Sequence, residues 1–233
     1  MSMARVVDPE WLDVLLPDDP RALKSRRDLA LINRIMMQAG IMARLLRCVE
    51  GAAQPLRFLE IGSGDGGFML SVARRLAQKM PDAEVLLLDR QDGVSVATMD
   101  AFAALGWRAQ SVETDVFQFL RASPERFDAI SANLFLHHFE PQALTEMIAL
   151  IAARTSLFAA CEPRRDALGL AGSRMLWALG CNDVTRHDAV VSVRAGFAGN
   201  ELSQLWPSDG WTLSERRAGL FTHAFLAIRP AET

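Results

Sequence analysis

Residues 57–67, Arg-Phe-Leu-Glu-Ile-Gly-Ser-Gly-Asp-Gly-Gly, decide how this chain folds. The first five residues form an apolar, strand-like run, and the glycines that follow fit the spacing G-x-G-x-x-G from Gly62 to Gly67. Apolar residues then recur at helical spacing over residues 68–80, before Pro81 stops the helix. The stretch therefore predicts a strand, a tight glycine turn and a helix, which is the unit that begins a nucleotide-binding α/β sheet.

The alternation of strand and helix continues along the chain. Further strands are predicted at 84–89, 108–115, 127–131 and 156–160, and helices at 95–105, 116–121 and 141–153. Two later strand-like runs, 211–217 and 221–228, are too close together for a crossover and should pair antiparallel. We therefore expect an α/β fold with a single Rossmann-like, seven-stranded, mostly parallel sheet, an antiparallel C-terminal hairpin strand and helices on both faces.

Two segments lie outside this pattern. Residues 1–55 form a helical N-terminal extension, in which an amphipathic helix runs from Ser25 to Arg47 and ends at Gly51–Pro55. Residues 56–233 form the main domain, with an insertion at about 163–200 that holds a helix at 168–179 and is followed by a helix capped by Asn200. We expect the extension and the insertion to act as a lid that excludes water from the site.

Several apolar residues of these two segments would suit an apolar or aromatic substrate, although core packing or a dimer contact explains them equally well. They are Met36, Met37, Met42, Met175, Leu176 and Trp177. If the lid interpretation holds, deletion of residues 1–50 should spare cofactor binding and abolish turnover.

Composition excludes several classes of protein. The 233 residues include 25 Lys and Arg against 28 Asp and Glu, without the basic patch of a nucleic-acid-binding protein. The three cysteines lack C-x-x-C spacing, which argues against a disulfide framework or a zinc site, and no run is apolar enough for export or for a membrane span. We expect a cytoplasmic protein without nucleic-acid, membrane or metal partners; a homodimer is left open.

Three acidic residues end successive predicted strands. Asp89 is placed to bind ribose hydroxyls, and Asp115 can either accept a hydrogen bond from the adenine amine or cap the helix that follows it. Glu60, two residues before the glycine turn, would repel the pyrophosphate of a dinucleotide but attract an ammonium and a sulfonium group. These charges favour S-adenosylmethionine over a nicotinamide dinucleotide.

Four stretches together resemble the motifs of class I S-adenosylmethionine-dependent methyltransferases. They are Leu59-Glu-Ile-Gly-Ser-Gly-Asp-Gly-Gly67, Leu88-Asp89, Glu113-Thr-Asp115 and Ser131-Ala-Asn-Leu-Phe-Leu-His-His138. Their order covers residues 56–160, and the predicted hairpin is similar to the reversed seventh strand of this family. The Leu-Phe-Leu-His-His-Phe run resembles the small-molecule group that includes quinone and polyketide methyltransferases. The resemblance implies cofactor binding by Glu60, Gly62, Ser63, Gly64, Gly66, Asp89, Arg90, Asp115, Val116 and Asn133.

The resemblance implies methyl transfer to a small, apolar or aromatic acceptor on oxygen or carbon, by in-line displacement and without a metal. Such a transfer needs mainly alignment of the reactants, which can be worth about 7–11 kcal/mol. His137 or His138 could serve as a base, or one could pack on the cofactor while the other binds a backbone carbonyl. His187, Arg194 and Trp177 of the insertion are the candidate substrate residues.

Two other functions fit parts of the sequence. An NAD(P)-dependent oxidoreductase fits the glycine turn, but Glu60 opposes it and the chain has no Tyr for a Tyr-x-x-x-Lys pair. A non-catalytic protein that binds S-adenosylmethionine fits the motifs as well as an enzyme does.

Within the family, Asn133-Leu-Phe-Leu136 replaces the Asn/Asp-Pro-Pro-aromatic motif of the enzymes that methylate nucleic-acid amines. It also lacks the acidic magnesium ligands of the catechol enzymes.

Overall fold

The computed structural model describes residues 3–16, 18–49, 55–207 and 209–230. Its strands are β1 Leu56–Ile61, β2 Ala83–Asp89, β3 Arg108–Glu113, β4 Ala129–Asn133, β5 Leu157–Pro163, β6 Thr212–Ala218 and β7 Thr222–Ile228. Its α-helices are α1 Trp11–Val14, α2 Pro20–Ile35, α3 Gln38–Leu46, α4 Gly67–Leu76, α5 Val96–Ala103, α6 Val116–Ala122, α7 Pro141–Ala152, α8 Ala167–Arg174, α9 Asp183–Ala195 and α10 Glu201–Leu205. Three short 3₁₀ helices lie at Arg47–Val49, Leu136–His138 and Leu176–Leu179.

The seven strands form one sheet in the order β3-β2-β1-β4-β5-β7-β6. Strands β1 to β5 are parallel, and β7 runs antiparallel to both β5 and β6. The predicted sheet, including its antiparallel hairpin strand, is confirmed. Because the strand order reverses between β1 and β4, a crevice opens at the carboxyl ends of these two strands, where ligands bind in such sheets.

Helices cover both faces of the sheet because neighbouring strand residues point to opposite sides. In β1, Phe58 packs into the core under α3, α4 and α5, whereas Leu59 and Ile61 pack into the core under α6 and α7. Trp107 lies in the first core, stacks against Phe58 with 5.2 Å between ring centroids, and donates its indole N–H to the carbonyl of Met80. The two apolar cores, one on each face of the sheet, fix the positions of the strands that border the crevice.

The helix predicted over residues 25–47 is two helices in the structure. Met37 has a φ of 54°, a left-handed conformation that ends α2 before α3 begins. The two helices pack on different partners: α2 lies mainly against α9, whereas α3 lies against α4 and β5. The predicted end of this helix, Gly51–Pro55, falls outside the described residues except for Pro55.

Helix α3 belongs to the core of the fold. Met42 and Leu46 are completely buried in the core that includes α4 and β5. The expectation that Met42 contacts a substrate is therefore wrong, because apolar burial against the sheet outweighs exposure to the crevice. A deletion of residues 1–50 would therefore remove core side chains as well as the proposed lid. A change nearer the N-terminus tests the lid without disturbing the core.

The insertion is helical, but it is built differently from the prediction. The helix expected at 168–179 is α8 followed by a 3₁₀ turn. Asn200 precedes α10 but its side chain makes no capping hydrogen bond. Instead the Glu215 carboxylate of β6 accepts the backbone N–H groups of Leu202 and Ser203, at 3.1 and 2.7 Å. A residue distant in sequence thus supplies the cap.

Among the described residues, no single helix is long and apolar enough to cross a membrane. Only α2 taken together with the segment from Gln38 to Val49 reaches the required length and composition, and this pair is bent by 63°.

Replacement of Trp107 by alanine tests the first core. The change removes a buried ring and leaves the Met80 carbonyl without its donor, so we expect the free energy of unfolding to fall by about 3–5 kcal/mol. Urea denaturation followed by circular dichroism measures the loss. Trp177→Ala is the matched control, because that side chain is 65% exposed and its loss should change stability by less than about 0.5 kcal/mol. Equal losses in the two variants would contradict this description of the core.

Candidate functional site

The glycine turn between β1 and α4 forms one wall of the crevice. The N–H groups of Gly62 and Ser63 donate to the carbonyl of Leu88, at 2.9 and 3.1 Å, and so tie the turn to the end of β2. Gly62, Gly64 and Gly66 have φ values of 69°, 55° and 71°. Such left-handed conformations are strained for other residues, which explains Gly62 and Gly64 of the motif and the additional Gly66 within it.

Two of these glycines serve different purposes. A Cβ added at Gly62 would come within 2.2 Å of the ring of Phe135, so Gly62 is needed to let the loop after β4 pack on the turn. A Cβ added at Gly64 would meet no atom within 4 Å. The backbone at Gly64 therefore faces open space, where a ligand can approach it closely.

The two strand-end aspartates of the crevice are held by backbone groups. Asp89 accepts N–H donors from Gly64 at 2.8 Å and from Gln91 at 3.1 Å, one on each carboxylate oxygen. Each oxygen keeps a lone pair for a ligand hydroxyl. Asp115 caps α6 by accepting the N–H groups that follow it, as the sequence allowed, and its other oxygen makes no described hydrogen bond. Beside these acids, the side chain of Arg90 is exposed and that of Val116 is buried.

Glu60 is the most unusual acid in the crevice. Glu60 is 1% exposed, and its Oε2 has no hydrogen-bond partner among the described residues. Burial, together with the negative charges of Asp65 and Asp89, raises the pKa of Glu60 well above its ordinary value. Buried polar atoms are nearly always paired in folded proteins, so an unpaired carboxylate here indicates a place for a cationic or hydrogen-bonding group of a ligand.

Other polar atoms near Glu60 are also buried without a partner in the described chain. They are Ser63 Oγ, Ser131 Oγ and Asn133 Oδ1. Ser131 lies beside Glu60 in the register of β1 and β4, and the other two residues are at the carboxyl edge of these strands. The crevice thus combines open space at Gly64 with a set of unpaired polar groups.

The loop after β4 is organised by Glu162, a residue that sequence reasoning missed. Glu162 lies in the fully buried strand β5 and is 0% exposed. Its Oε1 accepts the N–H groups of Phe135 and Leu136 at 3.1 and 2.9 Å, and its Oε2 lies 2.8 Å from Nδ1 of His137. An acidic residue within the apolar run that begins at Leu157 is the feature of the sequence that could have identified Glu162.

His137 is held between two carboxylates. Its Nδ1 faces Glu162, and its Nε2 lies 3.4 Å from Oε1 of Glu10, which comes from the N-terminal segment. Burial alone lowers the pKa of His137, but hydrogen bonds and charge from Glu10 and Glu162 raise it to about 9. A pKa of about 9 keeps this imidazole protonated at neutral pH, which makes His137 the less suitable of the two histidines as a base.

His138 has the opposite character. Its ring lies 4.2 Å from that of His137, between centroids, and its side chain is 28% exposed. Burial and the neighbouring positive charge of His137 lower the pKa of His138. Its Nδ1 lies 3.7 Å from a carboxylate oxygen of Asp13. His138 is therefore neutral at neutral pH and can accept a proton.

Ligand atoms of Glu10, His137 and His138 lie within 4.8 Å of one another, close enough to share a metal ion. The pairing of His137 with Glu10 and Glu162 accounts for the same arrangement as an ion-pair network.

The N-terminal segment that supplies Glu10 crosses the loop after β4 as a strap, which we define as residues 3–12. Arg5 donates to the carbonyls of His137, Phe139 and Ala195, at 3.1, 2.9 and 2.7 Å. At its other end, the N–H groups of Trp11 and Leu12 donate to Asp188 of α9 at 2.8 and 3.0 Å. The strap thus joins the loop after β4, which we call the histidine loop, to the insertion.

The predicted substrate residues do not gather around the histidines. His187 lies 2.9 Å from Asp188 and stacks on Trp11 with 3.8 Å between ring centroids, so it supports the strap. Arg194 is exposed, and its side chain makes no bond with the described residues. Trp177 is 65% exposed on a 3₁₀ turn. Within the described chain, none of the three has a hydrogen bond, ion pair or ring contact with His137 or His138.

Helix α2 contacts both the insertion and the segment after β2. Asp28 accepts the N–H of Asn182 at 2.9 Å, which joins α2 to the start of α9. On the other side, Arg26 reaches Gln91, just after β2, with 3.5 Å between the two side-chain atoms. We call the strap, α1, α2 and the segment from α8 to α9 the cap.

Residues 58–155 of the chain match a known protein family whose model is described as a methyltransferase domain. Among curated proteins, none matches this sequence.

Solved structures with similar folds share little sequence with the chain. The plantazolicin methyltransferase BamL, in complex with a triazolic desmethylPZN analog and SAH, aligns at 13% identity over 92% of this chain and 93% of its own, with a TM-score of 0.65. An O-methyltransferase family protein from Burkholderia thailandensis aligns at 18% identity over 91% and 60%, with a TM-score of 0.59. Magnesium protoporphyrin IX methyltransferase (ChlM) from Synechocystis PCC 6803 with bound SAH aligns at 14% identity over 94% and 91%, with a TM-score of 0.54.

The unpaired carboxylate of Glu60 leads to a test with S-adenosylhomocysteine, which carries the same ammonium group as the methyl donor. Binding of this ammonium next to Glu60 should favour the ionised carboxylate. Because the pKa of Glu60 is raised in the free protein, binding should release a proton below that pKa, and affinity should rise with pH until Glu60 is ionised. Titration calorimetry in two buffers of different ionisation enthalpy measures both effects.

The variant Glu60→Gln should bind S-adenosylhomocysteine about tenfold or more weakly and release no proton. Asp100→Asn, an exposed acid of α5, is the control and should behave like the wild type. Equal affinity at all pH values in the wild type and in Glu60→Gln would contradict a role for this carboxylate.

Proposed function

We propose that the chain is a class I S-adenosylmethionine-dependent methyltransferase and that it methylates a small apolar or aromatic acceptor on oxygen or carbon. The methyltransferase domain at residues 58–155 agrees with the predicted enzyme class and with S-adenosylmethionine as methyl donor, and not with the alternative of an oxidoreductase. The acceptor proposal rests on one observation: two adjacent histidines at the crevice whose pKa values are driven in opposite directions.

The crevice fits the methyl donor. Open space at Gly64 admits the ligand, and the unpaired Glu60 would hold its ammonium group. Asp89 would bind the ribose hydroxyls, while Val116 and the free oxygen of Asp115 would meet the adenine. When bound, the donor supplies a methyl group activated by a sulfonium. The chain itself has to align the acceptor and manage its proton.

His138 is the residue we assign as base. It is neutral at neutral pH and partly exposed, so it can take a proton from a hydroxyl or an acidic carbon of the acceptor. The carboxylate of Asp13 nearby stabilises the imidazolium that then forms, and exposure to solvent lets the proton leave afterward. A well-placed base of this kind is worth about 10²–10⁴ in rate.

His137 is assigned as a positioning residue. Its protonated ring compensates Glu162, which in turn holds the backbone of Phe135 and Leu136. Its charge also keeps His138 neutral by disfavouring a second positive charge nearby. The two histidines therefore have different roles, as their divergent pKa values require.

An aromatic wall supports an apolar or aromatic acceptor. Phe135 and Phe139, which flank the histidines, meet edge to face with 5.1 Å between centroids, and Phe117 meets Phe139 at 5.8 Å. All three rings are only half-buried, so part of this apolar surface is available to a ligand. The cap above would exclude water during transfer.

The remaining predictions on partners fit this proposal. A net charge of −3 argues against a nucleic-acid substrate. We also propose a cytoplasmic location, because the three cysteines lack the spacing and number of a disulfide framework. A small-molecule acceptor is consistent with both observations.

Replacement of His138 tests its assignment as base. His138→Gln should lower kcat by about 10²–10⁴ and leave the affinity for S-adenosylhomocysteine nearly unchanged. In the wild type, kcat should reach a plateau at neutral pH and fall in acid, as His138 becomes protonated below its lowered pKa. Turnover is measured as the formation of S-adenosylhomocysteine from S-adenosylmethionine in the presence of each acceptor in a panel of phenols, quinols and enols.

Asp100→Asn is the control, because Asp100 is an exposed residue of α5 outside the strap and the histidine pair. Full activity of His138→Gln, with an unchanged pH profile, would contradict the assignment.

Removal of the Arg5 guanidinium tests the strap. Arg5→Ala loses the hydrogen bonds to three carbonyls and should loosen the strap over the histidine loop. We expect kcat/KM to fall by roughly tenfold or more, whereas S-adenosylhomocysteine still binds. Arg21→Ala is the control, since this exposed arginine pairs only with Asp19 among the described residues. Unchanged kcat/KM in Arg5→Ala would show that the strap does not contribute to turnover.

A further inference from the structure

A second concave site lies where the end of β5 meets the β6–β7 hairpin. This cavity has a volume of about 210 Å³ and is lined by residues that include Arg164, Arg165, Asp166, Arg216, Arg217 and His223. We call it the arginine cavity. None of its residues takes part in the cofactor crevice or in the histidine pair.

The backbone brings these residues together from three places in the sequence. The N–H of Arg164 donates to the carbonyl of Phe221 at 2.8 Å, which joins the end of β5 to the hairpin. Arg217 lies directly opposite His223 in the register of β6 and β7. Both Arg164 and Arg165 are buried, at 6% and 5% exposure, so the cavity has fixed walls.

Only part of the positive charge in the cavity is compensated. Arg164 pairs with Asp166 at 2.6 Å, and Arg165 pairs with Glu201 at 3.0 Å. The side chains of Arg216 and Arg217 make no hydrogen bond or ion pair with any described residue. As neighbours in β6 they project to opposite faces of the sheet, and Arg217 shares the face of its register partner His223, which also lines the cavity. Four arginine residues around one cavity are notable in a chain whose net charge is −3.

His223 adds a further polar group. Its Nε2 lies 2.7 Å from Oε1 of Glu215, while its Nδ1 makes no described hydrogen bond. The Glu215 carboxylate is itself used by the cap of α10, and its pKa is lowered because the hydrogen bonds from His223 and Ser203 outweigh burial. Glu215 is therefore not free to neutralise Arg216 or Arg217.

We propose that the arginine cavity binds a carboxylate or phosphate group. Guanidinium groups bind these anions in two-pronged hydrogen bonds, and paired arginines give such sites both affinity and orientation. A volume of about 210 Å³ is below the ~300–1,000 Å³ of pockets that hold whole drug-sized ligands. The size thus suits one small anionic group.

The anionic group has two sources that share this chemistry. It is either part of the methyl acceptor or a free anion. Glu162, the β5 residue that holds His137, precedes Arg164 by two residues, or about 7 Å along an extended chain, so an acceptor could reach both places. The first source rests on the proposed function and makes the acceptor an acid or a phosphate ester; the second does not depend on it.

Titration with inorganic phosphate at constant ionic strength is the first arm of the test. The wild type should show saturable binding by calorimetry and a matching rise in Tm. The double variant Arg216→Gln, Arg217→Gln should bind phosphate at least about tenfold more weakly. Arg74→Gln, Arg174→Gln is the control: it removes two exposed arginines that also have no described partner, and it should bind like the wild type.

The second arm compares hydroxybenzoates with their methyl esters as acceptors. If the group belongs to the acceptor, the arginine variant should raise KM for the acids by about tenfold and leave KM for the esters unchanged. If the anion is free, phosphate binding is lost and neither KM changes. Equal phosphate binding by the wild type and the arginine variant, with no difference between acids and esters, would overturn the proposal. Binding of S-adenosylhomocysteine, measured in every variant, reports separately on the proposed function.

Discussion

The buried carboxylate of Glu162 is the constraint on which the candidate active site depends. A charge at 0% exposure is costly unless it is paired and hydrogen-bonded. The loop after β4 meets this need by turning two backbone N–H groups and the His137 ring toward Glu162. Leu134, at the start of this loop, adopts a left-handed φ of 51°, which costs about 1–2 kcal/mol for a residue with a side chain.

The consequences of that carboxylate extend to both sides of the crevice. The same loop places Phe135 against Gly62, so the glycine turn and the histidine loop depend on each other. His137, charged by Glu162, attracts Glu10 and thereby the strap, and it keeps its neighbour His138 neutral. One buried acid thus connects the shape of the loop, the protonation states of the two histidines and the position of the N-terminal segment.

Much of the fold could be predicted because it follows from local patterns. Apolar periodicity and the glycine turn predicted the strands, and the short spacing before the last strand predicted the hairpin. The break at Met37 and the burial of Met42 could not be predicted, because the helical pattern continues through both residues. What separates α2 from α3 is the partner on which each helix packs, and that is a tertiary property.

The site shows the same limit. Glu60 and Asp89 were recognisable because they stand at fixed distances from the glycines. The different characters of His137 and His138 were not, since they arise from Glu10 and Glu162, which are far away in sequence. Side-chain chemistry alone suggested the candidate substrate residues His187, Arg194 and Trp177. The structure uses His187 to hold the strap and leaves the other two exposed.

The most direct test of the central claim is an NMR titration of the imidazole nitrogens in the protein. If Glu162 and Glu10 hold His137 as described, its ring stays protonated up to a pH of about 9. His138 then titrates below the ordinary histidine value, and Glu162→Gln brings the two values closer together. Two histidines that titrate together near the ordinary value in the wild type would contradict the account.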